Sequence, residues 1–355
     1  MKSMKMIPMI LVVCFSFVNG SGELPLTTDM NDQYEPAIFH DIVVWTDERD
    51  KNLDIYGYNL KTNKEFQITT NEKDQWEPAI SDNIVVWTDE RNGNLDIYGY
   101  RVSASQEFPV TTHLNDQWSP HISGDIIVWT DERNGNMDIY GYNLVTKVEF
   151  PVTTDLSDQW DAAISGDYVV WTDERNTNYD IYGYNLLTGE EFQITTSTYD
   201  QYSPVIYENT VVWTDNRGLN QDIYGFSITT REEFSITLDK NDQWDPALFN
   251  DFVTWVDERI IGESSNTDIY GYNLLTHQEI RITTSKSDQW DPAVSQDFIV
   301  YTDDRDGNLN IYGCNLSSLL SQEGPDTTKE PDEGGTCLGT LFVILLVMGG
   351  VLNQK

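Results

Sequence analysis

The sequence predicts an all-β fold, a seven-bladed β-propeller of four-stranded antiparallel blades whose ring is closed by the N-terminal strand. Three observations predict it. The tripeptide Asp-Gln-Trp/Tyr recurs seven times, with five spacings of 42 residues and one of 46. Each repeat contains four short runs of β-branched and aromatic residues separated by turn residues. The two ends of the chain carry complementary parts of one repeat.

The second repeat shows how the strands are assigned. Its four runs cover residues 78–81, 84–88, 95–102 and 107–112, and an Asn-Gly-Asn turn separates the second run from the third. Four strands of about five or six residues, with connections of about four or five, fill the period of 42 residues. Antiparallel units of this kind, repeated around an axis, are propeller blades, which leave only short and protected sheet edges.

Closure of the ring is predicted from the chain ends. The seventh repeat stops near Ser317 and lacks the Glu-Phe-x-Ile-Thr-Thr run, while a similar run lies at 23–28. Glu23 precedes Asp32 by nine residues, the same offset that separates Glu65 from Asp74. We expect the N-terminal run to be the fourth strand of the last blade, since an open array would leave main-chain hydrogen bonds unmade.

The chain divides into four predicted segments. Lys2 and Lys5 precede an apolar run with small residues after it, the pattern of a leader peptide. Near the other end, an apolar run spans roughly 24 Å as a helix, against a hydrocarbon core of about 30 Å. We expect an extracellular, surface-displayed protein held to the membrane by this tail. The segments are a signal peptide at 1–20, the propeller at 21–317, an acidic flexible stalk at 318–336 and a short hydrophobic anchor at 337–352.

The charge balance restricts the partners. Asp and Glu number 59 against 21 Lys and Arg, for a net charge of -38. Such a surface repels nucleic acid, and it leaves a glycan, a cationic peptide or an envelope protein as partners. The alternative is that the excess of acidic residues only keeps the protein soluble.

Three residue types recur at fixed places and are expected to be structural. A large ring occupies one position, and we expect it to be buried against a repeated glycine such as Gly57. A repeated arginine such as Arg91 follows acidic residues and predicts ion pairs that hold the hairpins or blades together. Calcium binding by the same oxygens is the alternative. The rings are Trp45, Trp87, Trp129, Trp171, Trp213, Trp255 and Tyr301.

The Asp-Gln-aromatic segments define a candidate ligand-binding face. They lie between the last strand of one blade and the innermost strand of the next, on the side of the loops that join second and third strands. Rings flanked by carboxylates and amides suit a glycan, a cationic peptide or divalent ions. The alternative is that they only satisfy loop amides and seal the blade junctions. The candidate residues are Asp32, Asp74, Asp116, Asp158, Asp200, Asp242, Asp288, Trp76, Trp118, Trp160, Trp244 and Trp290.

Ligand sites are expected where the repeats diverge. The divergences are a four-residue insertion around 260–266, the segment 216–219 in the fifth blade, and His121 in place of the usual alanine. The insertion falls on the predicted ligand-binding face. A lone histidine is more typical of a neutral structural side chain than of a metal ligand.

The Asp-Ile-Tyr-Gly-Tyr-Asn-Leu and Ile-Thr-Thr segments resemble the TolB-like propeller repeat, and the whole unit is similar to the seven-bladed repeats of archaeal surface-layer-type proteins. The resemblance covers roughly residues 23–317. It implies a non-enzymatic role at the cell surface, with no catalytic residues to carry over.

The residues themselves hold no common hydrolase motif. The sequence has four histidines and lacks His-Glu-x-x-His, Gly-x-Ser-x-Gly and Gly-x-x-x-x-Gly-Lys. We therefore expect no enzyme but a binding, adhesion or envelope scaffold module, with a polysaccharide lyase or glycosidase as the alternative. No cofactor is expected, with calcium left open.

Overall fold

The structure, a computed structural model, describes residues 22–260, 265–317 and 319. The predicted signal peptide, the anchor and nearly all of the stalk lie outside the described residues. Within them, no helix is long and apolar enough to cross a membrane. A single 3-10 turn, Val102–Ala104, is the one helix with assigned bounds in this part of the chain.

Twenty-eight strands form seven four-stranded antiparallel sheets, as predicted. The innermost strands are β2 (Gln33–Phe39), β6 (Gln75–Ser81), β10 (Gln117–Ser123), β14 (Gln159–Ser165), β18 (Gln201–Tyr207), β22 (Gln243–Phe249) and β26 (Gln289–Ser295). The second strands are β3 (Ile42–Asp47), β7 (Ile84–Asp89), β11 (Ile126–Asp131), β15 (Tyr168–Asp173), β19 (Thr210–Asp215), β23 (Phe252–Asp257) and β27 (Phe298–Asp303). The third strands are β4 (Asp54–Asn59), β8 (Asp96–Arg101), β12 (Asp138–Asn143), β16 (Asp180–Asn185), β20 (Asp222–Ser227), β24 (Asp268–Asn273) and β28 (Asn310–Asn315). The outer strands are β1 (Glu23–Pro25), β5 (Lys64–Gln67), β9 (Gln106–Pro109), β13 (Val148–Pro151), β17 (Glu190–Gln193), β21 (Glu232–Ser235) and β25 (Gln278–Arg281).

The N-terminal strand closes the ring, as the chain ends predicted. β1 pairs antiparallel with β28, with Leu24 opposite Gly313, and the seventh sheet has the order β1-β28-β27-β26. The Leu26 amide donates to the carbonyl of Ile311 at 2.8 Å, and an Arg305 guanidinium nitrogen donates to Glu23 at 2.9 Å. The last blade is therefore built from both ends of the propeller.

Every innermost strand contains a β-bulge near its start. In β6 the ladder runs from Trp76 opposite Thr88 to Ala79 opposite Val86, which leaves Glu77 and Pro78 in the bulge. Proline cannot donate to a ladder, and here it lies at the bulge of a strand that is also an edge of its sheet, two places where proline is tolerated. The other six innermost strands shift register at the same place.

The apolar core lies between blades. Trp129 is fully buried, and it packs with residues of its own blade such as Ile122 and with residues of the preceding blade such as Val86 and Ile97. The six tryptophans and Tyr301 at this position are all buried, which confirms their predicted core role.

The predicted contact of this ring with the repeated glycine is wrong. A Cβ atom at Gly99 would lie 2.6 Å from the ring of Phe108, which belongs to the outer strand of the same blade. Gly99 lies directly opposite Phe108 in the ladder. In the first five blades the glycine is therefore needed to admit an outer-strand ring, while in the last two a phenylalanine ring of the second strand takes that place. The tryptophan packs towards the neighbouring blade.

Each buried tryptophan is tied to a buried aspartate and an arginine. The Trp45 indole donates to Asp47 at 2.9 Å, and Arg49 binds the same carboxylate through its main-chain amide and its guanidinium. The guanidinium carbon also lies 4.0 Å from the centre of the Tyr56 ring, and Arg49 forms an ion pair with Glu65 of the outer strand. The predicted arginine ion pairs therefore exist within the blade.

Deleting residues 23–28 should lower the melting temperature by about 10 °C or more, because the last blade loses its outer strand and a buried ion pair. Differential scanning calorimetry measures this. Glu23→Gln, which keeps the strand, should have a smaller effect. A truncated protein that melts like the full chain would show that the ring does not depend on this strand.

Trp129→Ala should cost about 3 to 5 kcal/mol of unfolding free energy, because the cavity it leaves lies between two blades. Urea denaturation measures the loss. Trp118→Ala, which removes a half-buried ring, is the matched control and should cost less. Equal losses in the two variants would contradict the core assignment of Trp129.

Candidate ligand-binding site

The aspartates of the Asp-Gln-aromatic segments join neighbouring blades. Asp74 accepts a hydrogen bond at 3.0 Å from the main-chain amide of Leu53, in the loop between the second and third strands of the preceding blade. Asp32 accepts the equivalent bond from Leu309, so the contact also spans the closure of the ring. The structure thus brings the two predicted loop types together on one face. Equivalent bonds are made by Asp116, Asp158, Asp200, Asp242 and Asp288.

The glutamines are more buried than the rings that follow them. Gln75 is fully buried, and its side-chain amide donates to the carbonyl of Lys73. Its Oε1 atom and those of the six equivalent glutamines have no hydrogen-bond partner within the described residues. Trp76, Trp118, Trp160, Trp244 and Trp290 are half-buried, so the structure leaves part of each ring open on this face.

The residue after each aromatic ring lies in the left-handed region of backbone space. Glu77 has φ of 53° and Asp245 has φ of 54°. Glycine adopts this conformation at lower cost, yet every blade carries a polar side chain here. The seven residues, which we call the channel ring, are Glu35, Glu77, Ser119, Asp161, Ser203, Asp245 and Asp291.

The channel ring lies at the mouth of the central channel. A cavity of about 460 Å³ is lined by residues of six innermost strands, among them Glu35, Asp245 and Asp291 of the channel ring. His121 also lines this cavity, and its enclosure lowers the pKa of the imidazole. Below the acidic ring the wall is formed by proline, alanine and branched apolar side chains.

Threonines of the second strands support the ring carboxylates. Thr88 donates to Glu77 at 3.1 Å, and Thr302 donates to Asp291 at 2.9 Å. Asp245 has Val256 at the corresponding place, so its carboxylate lacks this hydroxyl donor. The equivalent hydroxyls of Thr130 and Thr172 are fully buried and have no partner in the described part of the chain.

Burial and mutual repulsion raise the pKa values of the ring carboxyls. Burial is the main cause for Asp245, with the charges of Asp291, Asp161 and Glu35 adding to it, and the pKa rises to about 7. Burial and the charges of Glu77 and Asp291 likewise raise the pKa of Glu35 to about 7. The pKa of Asp161 rises to about 6. Carboxyls that titrate near neutrality in a cleft are typical of functional sites.

A pocket of about 530 Å³ opens between the fifth and sixth blades and shares Asp245 and Asp291 with the channel. It is also lined by Tyr202 and by Asp242 and Trp244, two of the residues selected from the sequence. The pocket therefore combines aromatic rings with several carboxylates. Their role in ligand binding stays a prediction.

Of the three places where the repeats diverge, the structure describes two in full and the insertion only in part. His121 faces the channel. Segment 216–219 ends two residues before Gln221, which lines the pocket. Of the insertion, residues 261–264 lie outside the described residues. No group of three or more His, Cys, Asp or Glu side chains in the described ranges is placed to hold a metal ion, and calcium binding stays a prediction.

Sequence reasoning missed the channel ring. It selected the Asp-Gln-aromatic tripeptides, but the residue after them varies among glutamate, aspartate and serine. A signal was present, because a proline follows that residue in six of the seven repeats, and a proline within a strand marks a bulge or a sheet edge.

Comparison with known proteins supports the TolB-like fold. No protein-family model and no curated protein matches the chain. Putative TolB from Agrobacterium tumefaciens is 15% identical, with a TM-score of 0.51, over 74% of this chain and 97% of that chain. TolB from Acinetobacter baumannii is 20% identical with a TM-score of 0.48, and the match spans about half of each chain, 59% of this one and 55% of that one. Resemblance to archaeal surface-layer proteins stays a prediction.

Two enzymes have a similar fold. Oligogalacturonate lyase from Vibrio parahaemolyticus is 11% identical with a TM-score of 0.64, over 82% of this chain and 93% of that chain. A puromycin-hydrolyzing peptidase from Mycobacterium tuberculosis is 10% identical with a TM-score of 0.64, over 81% of this chain and 51% of that chain, about half of its length.

The expectation that the chain is no enzyme is therefore wrong. It relied on missing motifs and on a family resemblance, but a similar fold makes up nearly the whole of an oligogalacturonate lyase and about half of a peptidase. Identities this low show the fold alone, and this fold does not exclude an enzyme.

Val256→Thr should lower the pKa of Asp245 from about 7 by about one unit, because the added hydroxyl donates to the ionised carboxylate. NMR titration of the aspartate carboxyl carbons measures the midpoint. The reciprocal variant Thr88→Val should raise the pKa of Glu77, which loses its donor. Unchanged midpoints in both variants would show that the hydroxyls do not set these pKa values.

Proposed function

We propose that the protein is an exported binding module whose channel mouth takes a cationic segment of a partner, a peptide or envelope protein that presents Lys or Arg side chains. The observation that carries the proposal is the channel ring, four of whose carboxylates line one opening: Glu35, Glu77, Asp245 and Asp291. A narrow mouth of one charge sign concentrates ions of the opposite sign, and the net charge of -38 adds to this field.

The residues around the ring support an organic cation as the ligand. Half-buried aromatic rings such as Trp244 and Tyr202 lie beside the ring carboxylates Asp245 and Asp291. A cation over an aromatic face gains about 0.5 to 2 kcal/mol, more as water is removed. The leader-peptide pattern at 1–20 supports export, and a binding or scaffold role in the cell envelope follows from it.

A polysaccharide-active enzyme is the second candidate. The specific observation that favours it is the pKa of about 7 for both Glu35 and Asp245, because a carboxyl poised near neutrality suits proton transfer. Incubation with a polysaccharide panel, followed by detection of new reducing ends or unsaturated products, tests it. Turnover that Asp245→Asn abolishes would favour the enzyme over the binding module.

Binding of fluorescein-labelled tetralysine should be about tenfold weaker at pH 6 than at pH 8. A carboxyl with pKa near 7 is about one-tenth ionised at pH 6 and nine-tenths ionised at pH 8, and the cation binds the ionised form. Fluorescence anisotropy measures the affinity, and labelled tetraglutamate should not bind at either pH.

The control keeps most of the surface charge and neutralises the ring. In the variant with Glu35→Gln, Glu77→Gln, Asp161→Asn, Asp245→Asn and Asp291→Asn, both the binding and its pH dependence should be lost. If this variant binds tetralysine as the wild type does, the general acidic surface is responsible and the proposed function is rejected.

The same raised pKa values predict how stability varies with pH. In the folded state the ring carboxyls hold protons that the unfolded chain releases near pH 4, so their contribution to stability falls as pH rises from about 4 to about 7. Asp245→Asn should therefore raise the melting temperature more at pH 7.5 than at pH 4.5. An equal effect at both pH values would contradict the raised pKa.

A further inference from the structure

We propose that the pocket between the fifth and sixth blades is a specific subsite for one cationic side chain, a protonated amine or guanidinium on an aliphatic stem. This inference rests on the proposed function and goes further, because it locates the recognition at one junction of the ring. The pocket volume of about 530 Å³ admits a whole side chain of this kind with its first shell of water.

The blade junction that forms the pocket is where the repeats differ. Gln221 occupies a position that is Leu53, Leu95 or Met137 in other blades. Its side-chain amide donates to the Tyr202 hydroxyl at 2.5 Å, an arrangement that an apolar residue cannot make. Ser203 replaces the ring carboxylate of the fifth blade with a small side chain.

The charges that line the pocket have one sign. Among the residues that the structure describes, Asp242, Asp245, Glu258 and Asp291 line it and no Lys or Arg does. Asp242 is engaged by the main-chain amide of Gln221 at 2.9 Å. The carboxylate of Asp245 accepts no hydrogen bond within the described residues, since Val256 stands where other blades have threonine. Asp245 is therefore the acceptor that a ligand N–H can use.

The aromatic walls complete the subsite. Trp244 comes directly before Asp245 on the same strand, and the Tyr202 ring is fixed by its bond to Gln221. Both rings are half-buried. An aliphatic stem packed on these rings, with its charged end at Asp245, uses apolar contact and cation–π attraction together.

The pseudo-symmetry of the propeller supplies matched variants for the test. Asp245→Asn and Asp161→Asn each remove one ring charge, but only Asp245 lines the pocket. We expect Asp245→Asn to weaken tetralysine binding at pH 8 at least fivefold more than Asp161→Asn does. Trp244→Leu should weaken it more than Trp160→Leu, which changes the same position two blades earlier.

Gln221→Leu gives an independent test because it leaves every charge in place. Leucine is native at this position in the first, second and seventh blades, so the variant is expected to fold. It releases the Tyr202 ring and puts an apolar side chain in the pocket, and it should weaken binding about tenfold. Tetraarginine measured in parallel shows whether an amine or a guanidinium fits better.

The outcomes separate the two proposals. Wild-type binding with equal loss in Asp245→Asn and Asp161→Asn, and no loss in Gln221→Leu, would overturn the subsite and leave the ring as a diffuse cation attractor. No saturable binding of either peptide to the wild type would reject the proposed function itself.

Discussion

A buried aspartate in each blade is the interaction on which the rest of the structure depends. Asp131 is fully buried, and it accepts hydrogen bonds from the Trp129 indole at 2.9 Å and from the main-chain amide of Arg133 at 2.9 Å, with two more from the guanidinium. A buried carboxylate is tolerable only when it is paired and hydrogen-bonded in this way. Removing either donor leaves a desolvated charge, so the tryptophan, the aspartate and the arginine constrain one another.

This cluster positions the loops that join second and third strands, on the same face as the Asp-Gln-aromatic segments. It holds the turn that follows the second strand, and the same arginine reaches the outer strand through an ion pair with Glu149. The main-chain amide of Met137, farther along this loop, binds Asp158 of the next blade at 2.9 Å. The buried aspartate thus stabilises its own blade, and the loop that it holds contacts the neighbouring blade. The seventh blade departs from the pattern, since Tyr301 replaces the tryptophan and its buried hydroxyl has no partner within the described residues.

The blade architecture could be predicted from the sequence, while two details of packing and part of the site could not. The period, the four apolar runs and the offset of Glu23 were enough to predict blade number, strand order and ring closure. The glycine contact could not be predicted, because a period does not say which ring faces Gly99. The recurring proline indicated a bulge or a sheet edge, but which residues the bulge displaces depends on ladder register. In a regular strand Glu77 would be one more polar residue. Because of the bulge, its side chain lies at the mouth of the channel.

Some positions of the repeat are constant and others vary. This difference explains why the mouth of the channel is asymmetric although the seven blades are alike. The aspartates, arginines and glutamines that bind main-chain groups recur because each serves the same bond in every blade. At the channel-ring position the main-chain amides also bond, since Ser119 donates to Glu77 and Glu35 donates to Asp291. A main-chain amide is present whatever the side chain, so the position varies among glutamate, aspartate and serine without loss of the ladder. Burial raises the pKa of all five ring carboxyls, and repulsion adds to it for Glu35, Asp161 and Asp245, which is unfavourable for the folded protein at neutral pH. The proposed cationic ligand would relieve the repulsion among Glu35, Asp161 and Asp245.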